Sequence, residues 1–144
     1  MKIQQIIQTK GGDVIALRPE DTVQTAATVL ATNKIGALPV KDANDSLIGI
    51  LSERDIVKGV HKYGHKALDL LVHNLMTKEV TTCNMEDDVR EVQQIMHSGH
   101  FRHIPVTQDG KLLGVISQGD VVHMCLIQAE NEASVMRDIA IARS

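Results

Sequence analysis

Two tetrapeptides in this chain carry the same chemistry, Ser52-Glu-Arg-Asp55 and Ser117-Gln-Gly-Asp120. Each follows an apolar run and precedes a helical pattern, so each sits where a strand turns into a helix. A carboxylate held there can accept both hydroxyl protons of a ribose in a bidentate, charge-assisted contact. The N-terminus of the helix beside it offers unpaired backbone N–H groups and a partial positive charge, which suit phosphate. Ser-x-x-Asp at a helix start also resembles a capping box, which requires no ligand. A capping box usually ends in the longer Glu or Gln, so with the motif present twice we favour binding over capping. The two roles are compatible, because the serine can cap while the aspartate faces a cleft.

The elements that position these groups are themselves duplicated. From Val14/Val80 to Val40/Val106 the two halves match at a constant offset, including Asp21/Asp87 and Pro39/Pro105. After a one-residue gap the match resumes at Leu47/Leu112 and runs to Val57/Val122, through Gly49/Gly114. Two copies make neither a propeller nor a solenoid, so the chain is expected to form a pseudo-two-fold pair with clefts where the halves meet. Asp21 and Asp87 precede helical patterns and are read as N-caps. One helix places Val23, Ala26/Ala27 and Leu30 on a face and the other Val89, Val92 and Met96; they are expected to end near Asn33-Lys34 and Ser98-Gly99. Each helix leads to a strand ending in Pro-Val, a polar turn (Asp42–Asp45 or Gln108-Asp-Gly110) and a second strand. The second strands, Leu47–Leu51 and Leu112–Ile116, are apolar throughout and read as buried on both faces. With short extended segments at Val14–Leu17 and Val80–Cys83, each unit is strand–helix–strand–strand–helix. The join from Gly59 to Thr77 carries Leu68, Leu71 and Leu75-Met76 and reads as packed. The tail from Val121 to Ser144 has no Pro or Gly and can prolong the last helix, offering Met124, Ile127, Val135 and Ile139 to a partner.

Composition narrows the function. Halves of about 65 residues are marginal alone, so a shared core is expected; 43% hydrophobic residues suffice for one. No apolar run approaches the roughly 20 residues of a membrane span. The two cysteines, Cys83 and Cys125, form no disulfide framework and favour a reducing cytoplasm. A net charge of −3 and a single Tyr and Phe exclude the basic, aromatic groove of single-strand nucleic-acid binders. Among the seven histidines, His61 and His65 have a workable ligand spacing, and His97, His100 and His103 recur every third residue. No Cys or acidic residue completes either set, so no metal site is expected. Cys83, beside Val80, reads as a buried, inert thiol. No nucleophile–base order and no Walker-type phosphate loop is present, and no enzyme is expected.

The ordered pattern of Pro-Val, hairpin and Gly-x-x-Ser-x-x-Asp, in tandem, resembles the CBS domain, named for cystathionine β-synthase, and the pair is similar to a Bateman module. Met76-Thr77-Lys-Glu-Val80 looks like that family's usual lead into its second copy. The resemblance implies an α/β (α+β) fold of two pseudo-symmetric units, each a small sheet against two helices, paired through their sheets. It places the first unit at residues 5–62, the second at 70–126, and a helical extension at 127–144. It further implies a sensor that binds an adenosine-containing ligand (AMP, ADP, ATP, NAD(H) or S-adenosylmethionine), needs no cofactor, and modulates a partner protein. Two such modules would join as a homodimer in a four-domain disk. In the family, the aspartate matching Asp55 or Asp120 holds ribose, and Ser52 or Ser117 supports it. By the resemblance Asp55 works with Val80-Thr81-Thr82, and Asp120 with Val14-Ile15-Ala16. Arg102 and His103 match a basic pair aimed at phosphates, whereas Gly36 and Ala37 stand at those positions in the first copy and leave room for adenine. With so few aromatics, adenine would lie against Ile50 or Val115. Arg54 and Lys34 are further phosphate candidates or plain surface charges. The alternative function is a dimeric interaction adaptor that requires no ligand.

Overall fold

A computed structural model describes residues 1–143. Helix α1 (Ile3–Lys10) leads to α2 (Val23–Asn33), then strands β1 (Ala37–Lys41) and β2 (Leu47–Ser52), and α3 (Glu53–Tyr63). A 3-10 turn over Gly64–Asp69 and the short α4 (Val72–Leu75) join the halves. The second half holds β3 (Cys83–Asn84), α5 (Val89–Gly99), β4 (His103–Gln108), β5 (Lys111–Ser117) and α6 (Gln118–Arg143). Both hairpins are antiparallel, and β3 joins β4 in parallel. The first half has only an isolated parallel bridge, Leu17 to Val40, at the place of β3. Strand β1 lies against β5, so the units meet through their sheets. This is the α+β arrangement that the family resemblance implied.

Local chemistry explains most of the boundaries. The second hairpin turns at Asp109 and Gly110, with φ of 52° and 78°, the left-handed pair of a tight two-residue turn. The helix faces Val23, Ala26, Leu30 and Val89, Val92, Met96 are buried as the periodicity required. Both helices end in a left-handed residue, Lys34 and His100, after which the N–H groups of Ile35 and Phe101 bond back to Leu30 and Met96 at 3.1 and 3.0 Å. The caps fall one residue later than expected. Thr22 Oγ1 accepts from the Thr25 N–H at 3.1 Å, and Asp88 Oδ1 from the Arg90 N–H at 2.8 Å. Asp21 and Asp87 instead close the preceding turns, accepting from the Arg18 and Asn84 N–H groups at 2.8 and 2.9 Å.

The halves do not merge into one core. One cluster gathers Leu17, Ala26, Leu30, Leu38, Val40 and Leu51 of the first unit, and is closed by Val72 of α4. The other gathers Cys83, Val89, Val92, Met96, Ile104, Val106, Ile116 and Val121, and is closed by Ile3 and Ile6 of α1. Each small core is therefore sealed by the helix that precedes the other repeat. Backbone bonds fix the arrangement: the Ile3 N–H to the Asp87 carbonyl at 3.0 Å, and the Val72 N–H to the Asp21 carbonyl at 2.7 Å. In the join, the buried anchors are Ala67 and Val72, while Leu68, Leu71 and Leu75 are half-buried.

The strands β2 and β5 also differ from expectation. Gly49, Leu51, Leu112 and Ile116 are buried, but Ile50, Leu113 and Val115 are only half-buried. One face is sealed against the core and the other lines open clefts. Helix α6 runs unbroken for 26 residues, about 39 Å. Its first half packs through Val121, Met124 and Cys125. Beyond Ala129 it is exposed, with Val135 and Ile139 on the surface and an Arg90–Glu132 ion pair at 3.1 Å. Among the described residues no helix is long and apolar enough to cross a membrane.

Candidate functional site

Both Ser-x-x-Asp corners form complete capping boxes. Ser52 Oγ accepts from the Asp55 N–H at 3.2 Å, and Asp55 Oδ2 accepts from the Ser52 N–H at 3.0 Å. At the second corner the same bonds measure 3.1 and 2.8 Å. The argument from side-chain length does not hold, because the shorter Asp closes the box at both corners; capping is present, and it is compatible with binding. Capping occupies one oxygen of each carboxylate and leaves both groups half-buried at the floor of a cleft.

The clefts lie between the repeats. The Asp55 cleft, of about 720 Å³, takes Ile50, Ser52, Arg54 and Asp55 from the first unit, and Val80, Thr81, Arg102 and His103 from the second. The Asp120 cleft, of about 480 Å³, takes Val115, Ser117 and Asp120 from the second unit, and Val14, Ile15, Lys34, Gly36 and Ala37 from the first. Both volumes suit a small-molecule site. All but two of the site residues singled out from the sequence line one cleft or the other, and each Ser/Asp pair faces the opposite unit's extended segment. Thr82 and Ala16 do not line them.

The two clefts share a wall at Gly36 and His103. A Cβ on Gly36 would lie 2.8 Å from His103 Nε2 and 2.9 Å from Cε1. Gly36 is thus small to receive the imidazole, which fills the space that we expected adenine to use. Burial pushes His103 below its ordinary pKa, although Glu53 opposes the shift. Burial thus favours the neutral, hydrogen-bonding form of the His103 imidazole in the clefts. Arg102 lines the Asp55 cleft alone, with Arg54 and Lys58; Glu53 and Glu79 balance them.

Sequence reasoning missed Lys10 and Thr77. Lys10 Nζ donates to Asp120 Oδ2 at 2.7 Å and to the Val115 carbonyl at 3.2 Å. Burial alone would raise the Asp120 pKa, but hydrogen bonds from Lys10 and Ser117 outweigh it and hold the carboxyl below its usual range. Thr77 Oγ1 lies 3.4 Å from Asp55 Oδ1. Thr77 was visible in the Met76-Thr77 signature, though not its partner. Lys10 precedes a Gly-Gly pair that marks a turn, and nothing local ties it to a residue so far along the chain. His61 is exposed on α3 and His65 on the 3-10 turn that follows it, away from both clefts. Cys83 is buried, and burial pushes its thiol up to about 12.

The CBS domain family matches residues 4–62 and 72–126. The chain belongs to that family. A CBS-domain containing protein from Agrobacterium tumefaciens superposes with a TM-score of 0.81 at 39% identity, over 85% of this chain and 91% of that one. CBSX2, solved in complex with AMP, superposes with a TM-score of 0.73 at 25% identity, over 89% of this chain and 98% of that one. An inosine-5'-monophosphate dehydrogenase from Methanocaldococcus jannaschii is 33% identical over 111 residues, 76% of this chain but only 21% of the enzyme. This CBS pair therefore corresponds to about a fifth of that longer protein.

Proposed function

We propose that the chain is a regulatory module that binds an adenine nucleotide, of the AMP, ADP, ATP or NAD(H) type, in its inter-repeat clefts and thereby modulates a partner protein. The observation that carries this reading is the Asp55 cleft. A half-buried carboxylate at a helix N-terminus stands there with Arg54 and Arg102, facing Thr81 of the other unit. The carboxylate suits a ribose diol, the helix end and the arginines suit phosphate, and Ile50 gives an aliphatic surface for the base. The AMP complex of CBSX2 supports the same ligand class. The match to part of a dehydrogenase supports a role as a module that acts on other domains.

Residues 5–62 and 70–126 act as the two units, with a helical extension from 127 whose last residue, 144, lies outside the described residues, and two chains associate as a cytoplasmic homodimer in a four-unit disk. Exposed Val57 and Val60 on α3 and Leu126 and Met136 on α6 favour helix-mediated association. They equally favour the second reading, an interaction adaptor with no required ligand. Ligand regulates only by binding one arrangement better than another. A thermal-shift screen with AMP, ADP, ATP, NAD(H) and S-adenosylmethionine, followed by calorimetry, tests the proposal. A shift with at least one adenosine compound and none with cytidine nucleotides is expected. No shift with any of them leaves the adaptor.

A further inference from the structure

The two aspartates that the repeat makes equivalent differ in what already holds them. A carboxylate oxygen has two lone pairs. On Asp120 Oδ2 one takes the Ser117 N–H at 2.8 Å and the other takes Lys10 Nζ at 2.7 Å. On Asp55 Oδ2 the Ser52 N–H occupies one at 3.0 Å, and the further donor is the Thr77 hydroxyl at 3.5 Å, too long for a good O–H···O bond. A diol that grips both oxygens of the carboxylate finds room on Asp55 and not on Asp120. Lys10 is also held by the Val115 carbonyl at 3.2 Å, so its ammonium bridges β5 and the start of α6.

We propose that Lys10 is a latch on the Asp120 cleft: it occupies the carboxylate oxygen that a ribose diol needs, so nucleotide fills the Asp55 cleft first and enters the Asp120 cleft only as Lys10 lets go. The inference rests on the adenosine-binding reading and assigns the order in which its two sites load. The latch is releasable. Its side chains are 42% and 27% exposed, and ion pairs of that kind are weak enough for a ligand to displace. The backbone beside it can also move. Gly11 and Gly12 follow Lys10 with φ of 58° and 80°, and open space surrounds both. They connect α1, which seals the second core, to the Val14-Ile15 segment that lines the same cleft. Thr77, which stands near Asp55, has no such freedom, because its N–H and carbonyl both pair with Ile50 at 2.9 and 3.0 Å. Release of Lys10 therefore loosens the last turn of α1, and occupancy of one particular cleft is felt at the N-terminal helix.

Calorimetry with AMP tests the latch in four proteins: wild type, Asp55→Asn, Asp55→Asn/Lys10→Met and Asp55→Asn/Lys10→Arg. Removing the charge should tighten the Asp120 cleft about two- to fivefold over Asp55→Asn alone, the upper part of the range for displacing one exposed ion pair. Arginine should restore the weaker binding. Urea denaturation verifies that the variants are folded, as expected for a half-exposed residue at a helix end. Unchanged or weaker binding on loss of Lys10, with wild type still binding AMP, overturns the latch and leaves the nucleotide reading standing. Absence of binding in wild type and in every variant with AMP, ADP, ATP and NAD(H) alike overturns both.

Discussion

Gly49 and Gly114 occupy the same place in the two repeats, and alanine at each should have very different consequences. A Cβ on Gly49 would stand 2.6 Å from Met76 Sδ, 3.0 Å from Met76 Cγ and 3.0 Å from the Thr77 carbonyl. The methionine can shift, but the carbonyl cannot easily retreat. Thr77 is tied to β2 by two bonds to Ile50, of 3.0 and 2.9 Å, on the strand that carries the new methyl group. Overpacking of this kind costs about 1–3 kcal/mol, and loss of one of those bonds adds about 1 kcal/mol. Gly49→Ala should therefore lose about 2–4 kcal/mol, roughly 6–12 °C in melting temperature for a chain of this size. On Gly114 the methyl group would meet only Ile7 Cδ1, at 3.0 Å, the tip of a side chain that can rotate. Its cost should stay below about 1 kcal/mol, since alanine also restricts the unfolded chain. Urea denaturation of both variants measures the difference directly. Met76→Ala in the Gly49→Ala background should be non-additive, recovering about 1 kcal/mol while the Thr77 carbonyl still obstructs. Equal losses at the two glycines, or strict additivity with Met76→Ala, would refute the steric account.

The other expectations concern the cap, the shared histidine and the thiols. Asp55→Ala should cost about 1 kcal/mol of stability without any nucleotide, because it opens the capping box, and Asp120→Ala should cost somewhat more, because it also loses the Lys10 ion pair. In calorimetry, Asp55→Ala should also weaken AMP binding by about 10- to 150-fold, or about 1.5–3 kcal/mol; normal affinity would remove Asp55 from the site. The His103 imidazole should titrate below its ordinary value of 6.5 in an NMR titration. Since the unfolded chain then takes the proton first, its contribution to stability is present above pH 6.5 and fades as pH falls through the lowered native value. His103→Gln should flatten the fall in urea midpoint on that acid side, and an unaltered slope would count against the buried imidazole. Cys83, with a thiol pushed up to about 12, should resist Ellman's reagent at pH 8 until the protein is denatured, and rapid native labelling there would contradict its burial.

The sequence by itself determined the duplication, the helix faces, both hairpins and the two Ser/Asp corners. These follow from short-range physics: 3.6-residue periodicity, left-handed turn residues, and side chains that bond backbone within three positions. Local rules also misplaced the caps by one residue, because Asp21 and Asp87 are taken up by the N–H groups of Arg18 and Asn84 in the preceding turns, leaving the cap to Thr22 and Asp88. The expectation of a single core failed for a different reason. Composition can count the apolar residues, but it cannot say that Ile3 and Ile6 seal the second unit while Val72 seals the first. Only the tertiary structure decided that crossing, and with it the inequality of the clefts. Lys10 and Asp120 stand 110 positions apart, and His103 meets Gly36 across the interface of the two sheets. Contacts between residues so distant leave no periodic mark in the chain. A repeat makes its two copies alike wherever the chain meets itself locally, and the fold makes them differ wherever one copy meets the other.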